Sequence, residues 1–393
     1  MSRAMPDPVI IGAGIQGATL ALAAVARGLR PLVIDRDAEP SGASVNSYGI
    51  VHGGLRYLQR LDLPRWRESR RAQLWYIDRY PHHVHPLRCV MPLYRGRLRS
   101  PALFGGARTL DRALRTTVQR QVPLPADHGC GREEILAGYP VPSSGLVGGA
   151  VWHDAHIRDP HALLREMLAE VEDRGGVLLR STEAVALDIG EGRVRGLYVR
   201  DRTNGAERRI AASQIFDCGG ASAGQCLQGG AKSALPSAAM LAFNLLVDLP
   251  FPAGGDAFAL SPVAGKGRSY FFRHHAGATL VGTFYRPAPV GAAREPTEQD
   301  ILAALRQIRL CLPDMPVERD MVRSVRAGLL PDRDGSGRTL LSADRHLRPG
   351  PRGYHILLGG KLTTAPLLSE RVAARILPPA KGAMQSGLLP RHA

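Results

Sequence analysis

At 393 residues the chain exceeds the size at which one hydrophobic core keeps growing, so two domains, or one large α/β body with an inserted lobe, are expected. Its 44% hydrophobic and 22% charged residues exclude a disordered or fibrous protein, and no apolar run reaches the roughly 18 residues of a membrane span. The formal net charge of +16 is built from arginine, only four of the 51 basic residues being lysine, so charge alone does not establish a nucleic-acid partner.

In chain order, DPVIIGAGIQGATLALAAVARGLRPLVIDRD opens with a short apolar strand and turns through Gly12-x-Gly14-x-x-Gly17. It continues as an Ala-rich helix and ends in a second strand closed by Asp35. Gly12 permits the tight turn, Gly14 lets the backbone approach a pyrophosphate, and Gly17 lets the helix pack on the strand. The helix N-terminus offers N–H groups and a positive dipole end to the phosphates. Asp35, 18 residues after Gly17, stands where a carboxylate reaches the adenosine ribose hydroxyls. This βαβ unit predicts dinucleotide binding. Arg36 is compatible with a 2′-phosphate and hence NADP, whereas the unit's place at the start of the chain favours FAD.

The next segment, NSYGIVHGGLRYLQ (46–59), brings together His52, Gly53, Gly54, Arg56 and Tyr57. It combines a ring that titrates near neutral pH, a bare backbone and a fixed positive charge. On these residues alone, a buried structural histidine before a turn and a functional site both stay open. Residues 56–120 then carry 15 arginines against Asp62, Glu68, Asp78 and Asp111, interleaved with Tyr57, Trp66, Trp75, Tyr76, Tyr80 and Tyr94. Basic residues beside amphipathic aromatics suit an anionic membrane surface; the alternative is aromatics in the core and arginines on a solvated face.

Helical patterns fill 61–80 and 297–311. His82, His83 and His85 have no cysteine or carboxylate at ligand spacing, and the five cysteines form no C-x-x-C pair, so neither a metal nor a disulfide framework is expected and a cytoplasmic location fits. QIFDCGGASAG (214–224) reads as a strand running into glycines. RSYFFRHH and ATLVGTFYR are sheet-like, which sends the adjacent His274 and His275 to opposite faces. LLGGKLTTAPLLSERVAARIL reads as strand, glycine turn and a helix starting near Pro366, and PPAKGAMQSGLLPRHA as a disordered tail.

These motifs, in this order, resemble the FAD-dependent glycerol-3-phosphate dehydrogenases of the D-amino-acid-oxidase-like flavoprotein superfamily, from Pro8 to about Leu377. IVHGGLRYLQ and LLGGKLTT are the specific matches; SGAS, YPHHVHPLRCVMPLY, PTEQDI and SVRAGLLP support them. The resemblance implies an α/β fold with a Rossmann-type FAD-binding domain (1–75, 148–225 and 322–377). An antiparallel-sheet α+β substrate lobe (76–147 and 226–321) would be interleaved with it, before a tail at 378–393. FAD would be held by Gly12, Gly14, Gly17, Asp35 and Arg36 at the first turn. Further along, Ser44, Gly53, Val185 and Gly219 would contact it, and Gly360, Lys361, Leu362 and Thr363 would close around the flavin.

By the same resemblance His52 takes the hydroxyl proton while a hydride leaves for flavin N5. Arg56, Arg326 and Lys361 would grip an anionic substrate, with Tyr57 and Thr363 beside it. Electrons would pass to quinone or another acceptor, with peripheral attachment at the inner face of a membrane.

Some family positions differ: Ser47-Tyr48-Gly49 stand where a basic residue is usual, Phe284 replaces an acid, and Ala365-Pro366 replace Tyr-Arg. The chain also ends about where these dehydrogenases begin a further helical domain. NSYGIVHGG resembles, too, a stretch of FAD-dependent 2-hydroxyglutarate dehydrogenases, making a 2-hydroxy acid the alternative substrate and an oxygen-using oxidase the alternative fate of the electrons. A non-catalytic flavoprotein binding nucleic acid is the alternative of another class, although no nucleic-acid module accompanies the charge.

Overall fold

The computed structural model describes residues 7–59, 61–95, 101–118, 124–226, 238–251, 255–262, 267–332, 347–359 and 361–380. Six strands make the first sheet, in the order 347–349, 354–357, 215–217, 9–11, 32–34, 177–179, and all but the first pair run parallel. Strands such as Val9–Ile11 and Leu32–Ile34 are unbroken apolar runs because both faces of this sheet are covered.

On one face the helix Ile15–Val25 is buried at every residue, among the helices Pro160–Asp173 and Ala365–Ile376. Its alanines let neighbouring elements approach on all sides. On the other face an antiparallel meander of Thr182–Gly190, Arg193–Asp201 and Glu207–Ala211 lays Val194, Leu197 and Val199 against Val9, Ile215 and Ile356.

The second sheet has nine strands: 322–332, 238–247, 278–289, 270–275, 257–260, 84–94, 146–157 and 50–51 in order, with 128–130 attached to 146–157. Its apolar face packs on the helix Glu298–Cys311, which begins in a capping box between Thr297 and Asp300. Leu146–Ile157 and Val322–Asp332, read from sequence with the cofactor-binding pieces, are ladder strands of this sheet. Their partners are Val84–Tyr94 and Ala238–Val247, and such long-range pairing leaves no mark on local periodicity.

The helix Leu63–Arg79 starts at Asp62, whose carboxylate accepts from the Arg65 N–H, and Pro64 lies in its first turn, where no intrahelical N–H is needed. Trp66, Trp75, Tyr76 and Tyr80 are all buried, so these aromatics are core rather than an interfacial belt. Among the described residues no helix is long and apolar enough to cross a membrane.

Candidate active site

Where the two sheets meet lies a cavity of 540 Å³. At one end its floor is glycine. Gly12 has φ +95°, and a Cβ there would stand 2.9 Å from the Cys218 carbonyl oxygen; a Cβ on Gly17 would stand 1.8 Å from the Gly12 oxygen. The N-cap residue of the helix Ile15–Val25, Gly14, has no side chain to cap it, and the first N–H donates to Ser44 Oγ at 3.0 Å. Asp35 accepts from the N–H groups of Ala13 (2.6 Å) and Asp37 (2.9 Å). Burial raises its pKa, and those two bonds oppose the rise only in part.

Asp217, buried at the end of Ile215–Asp217, accepts from Gly219 N–H, Gly224 N–H and the Tyr354 hydroxyl, and so pins the glycine turn that forms the next wall. Two cavity residues, Gln16 and Ser47, present buried side-chain oxygens that have no hydrogen-bond partner among the described residues. Glycine floor, uncapped helix and unsatisfied oxygens fit a bound dinucleotide.

The other end is lined by His52, Arg56, Tyr57 and Lys361, with the rings of Tyr48 and Phe271. His52 follows the two-residue strand Ile50–Val51, and its Nδ1 lies 2.9 Å from Asp154 Oδ2. Asp154, on Leu146–Ile157, also accepts from Gly53 N–H at 2.7 Å and Trp152 Nε1–H at 3.1 Å. Burial raises its pKa, but His52, Gly53 and Trp152 outweigh burial and hold the carboxyl below its ordinary value. An ionised Asp154 can only accept, so Nδ1 of His52 carries the proton of that hydrogen bond. The ring is half exposed.

Lys361 Nζ donates to the Tyr57 hydroxyl at 2.9 Å. Burial pushes that hydroxyl up, yet Lys361, Arg56 and Arg65 bring it below the usual phenol value. Asn244 donates to the Asn46 carbonyl and accepts from Thr283 Oγ, tying the nine-stranded sheet to the segment before His52.

Of the residues expected from sequence, Gly12, Gly14, Asp35, Arg36, Ser44 and Gly219 line the cavity, as do His52, Arg56, Tyr57, Lys361, Leu362 and Thr363. Gly17 packs the helix on its strand. Val185 does not line the cavity but follows Ala184, which does, at a break in the ladder. Gly53 is also off the wall: a Cβ there would meet Gln73 Oε1 at 2.7 Å and Arg70 Nη1 at 2.8 Å. The close approach that requires glycine is therefore to the helix Leu63–Arg79. Gly54, at φ +89°, starts the short helix Leu55–Leu58. Arg326 lies outside the cavity wall, its Nη2 2.5 Å from His275 Nε2. Gly360 lies outside the described residues. Asp154, Trp152 and Asn244 were not evident from sequence; the polar WHD interruption of an otherwise apolar strand was the available signal.

The family described as DAO, FAD dependent oxidoreductase, matches residues 7–375. The chain belongs to this family. FAD is the cofactor of this flavoenzyme, and the cavity has the residues to hold it. A probable mitochondrial glycerol-3-phosphate dehydrogenase of Caenorhabditis elegans is 28% identical over 94% of this chain and 52% of its own length. The aerobic glycerol-3-phosphate dehydrogenase of Staphylococcus saprophyticus is 26% identical, covering 91% of this chain and 64% of its own. The chain thus spans about half to two thirds of the length of these relatives. In fold it is similar to the FAD-complexed glycerol-3-phosphate dehydrogenase of Bacillus halodurans, with a TM-score of 0.70 at 20% identity over 98% of this chain and 68% of that one.

Proposed function

We propose that this FAD-dependent oxidoreductase oxidises the secondary alcohol of a small anionic substrate, glycerol 3-phosphate or a close analogue. The observation that carries the reading is the His52–Asp154 pair at 2.9 Å, opening onto the same cavity as Arg56 and Lys361. FAD, when bound, supplies the two-electron acceptor for the hydride. His52 Nε2 takes the hydroxyl proton, and the ionised Asp154 stabilises the imidazolium that results. Arg56 presents a planar fork to a phosphate or carboxylate. Lys361, fixed on the Tyr57 hydroxyl, adds a second positive charge. The rings of Tyr48 and Phe271 supply the apolar surface at this end of the cavity. Similarity to two glycerol-3-phosphate dehydrogenases supports phosphate over carboxylate, and the electrons are proposed to pass to quinone or another non-oxygen acceptor.

The test is anaerobic. Glycerol 3-phosphate and 2-hydroxyglutarate are added separately to the yellow holoprotein and the oxidised flavin band is followed. Bleaching by the phosphate alone is expected. Bleaching only by the hydroxy acid, or by neither, refutes the substrate reading, and rapid oxygen consumption during turnover refutes the acceptor.

A further inference from the structure

We propose a second anion site, separate from the FAD cavity, in which Arg273, Arg326, His275 and His156 hold a small oxyanion. Alternation along Tyr270–His275 puts Phe271, Arg273 and His275 on one face of the nine-stranded sheet. Phe271 reaches the cavity; Arg273 and His275 continue the row away from it, and none of the four proposed ligands lines the cavity wall. Tyr48 stands between, one side on the cavity and its ring 5.9 Å from the Arg273 guanidinium.

Three arginines of the described chain are buried: Arg27, Arg70 and Arg273. Arg27 is paired with Glu370 and Arg70 with Asp111. Arg273 is 8% exposed; among the described residues its Nε has no hydrogen-bond partner, and its Nη1 donates to the carbonyl of the adjacent His274. Burying an unpaired charge is strongly unfavourable, so a site that keeps one is completed by a counter-ion. Among the described residues no carboxylate is ion-paired with Arg273, Arg326, His275 or His156, whereas Arg323 on the same strand as Arg326 has Asp248.

The neighbours are arranged as donors. Arg326, opposite Asn244 in the ladder, can only donate, so His275 Nε2, at 2.5 Å, accepts. His275 is thereby a neutral imidazole with Nδ1–H still available. Burial, followed by the charges of Arg326 and Arg273, draws its pKa down to about 4. His156, 8% exposed on Leu146–Ile157, lies under the Gly49 turn, and burial with Arg273 next to it lowers its pKa to about 3. Two guanidinium groups and two neutral imidazoles, with no acceptor opposite, select a fully ionised oxyanion. The anion's role is to neutralise the wall behind Tyr48.

The experiment uses FAD-loaded protein in phosphate-free buffer, titrated with inorganic phosphate at constant ionic strength. Melting temperature and the visible flavin spectrum are read together, so the outcome does not depend on the substrate reading. A saturable rise of about 3–5 °C at phosphate well above its Kd is expected, with the flavin spectrum unmoved. Arg273→Met should abolish the rise and, lacking the unpaired charge, melt no lower than wild type in phosphate-free buffer. Arg56→Ala, a cavity variant, should keep the rise. His275→Ala should weaken phosphate about tenfold, which keeps the proposal testable if Arg273→Met fails to fold. No saturable rise, a rise lost in Arg56→Ala, or an unchanged phosphate affinity in His275→Ala and Arg273→Met would overturn it.

Discussion

The role proposed for His52 depends on a residue more than a hundred positions away. An imidazole free to rotate presents either nitrogen to a substrate, whereas one held at Nδ1 by an ionised carboxylate presents only the basic Nε2. Asp154 imposes that choice and is itself kept ionised by His52, Gly53 and Trp152. Asp154→Asn keeps the shape but offers a donor as well as an acceptor, permitting the unproductive tautomer. Stopped-flow flavin reduction should slow about 10- to 100-fold with FAD occupancy intact, and His52→Ala should slow it by about 100-fold or more. An Asp154→Asn enzyme reduced at the wild-type rate would remove the carboxylate from the mechanism. On the cofactor side, Asp35 and the three glycines were legible in sequence because each answers a local backbone requirement. Asp154 was not: the polar WHD interruption of its strand marks the place, but nothing local says which distant residue the acid meets.

At the level of elements, the segment from Ile50 to Leu58 owes its position to the helix Leu63–Arg79. Arg70, 1% exposed, is ion-paired with Asp111 at 2.9 Å and donates to Gln73, which in turn donates to the Val51 carbonyl. Trp66 Nε1–H adds a 2.6 Å bond to the same aspartate. The network forms the back of the strand that carries His52, and Gly53 is glycine because Arg70 and Gln73 occupy the space of a Cβ. Asp111→Ala leaves Arg70 buried and unpaired, so denaturant unfolding should show a loss of about 3–5 kcal/mol. A loss under about 1 kcal/mol would mean that water or another acceptor replaces the carboxylate. The arginine-rich sequence of 56–120 gave no means of separating this inward-facing arginine from its solvated neighbours; only the packing of the helix against residues near 107–114 does so.

For the molecule as a whole, buried neutral histidines make stability depend on pH. His156, with Arg273, His275, Arg158 and His85 around it, has a folded pKa of about 3. His275, facing Arg326, Arg273 and His274, has one of about 4. Both lie below the ordinary value of about 6.5 for the unfolded chain. Between those limits the unfolded state binds protons that the folded state refuses, so stability present above about pH 6.5 is lost as pH falls toward 4 and then 3. In phosphate-free buffer the melting temperature should decline over that window, and His156→Gln should flatten the decline; an equal slope in the variant would assign the effect to other groups. The sequence by itself determined the βαβ unit and the glycine turns, because these follow from backbone conformation and short-range periodicity, and the order of its motifs, through the resemblance they carry, pointed to FAD and to the stretch that holds His52. Tertiary structure alone decided that Asp154 meets His52, that Arg70 lies inside, and that among the described residues Arg273, beside Tyr48, and Arg326 have no ion-paired carboxylate. Those relations arise when strands distant in the chain are laid side by side, and the charge balance of such a junction is a property of the fold rather than of any segment.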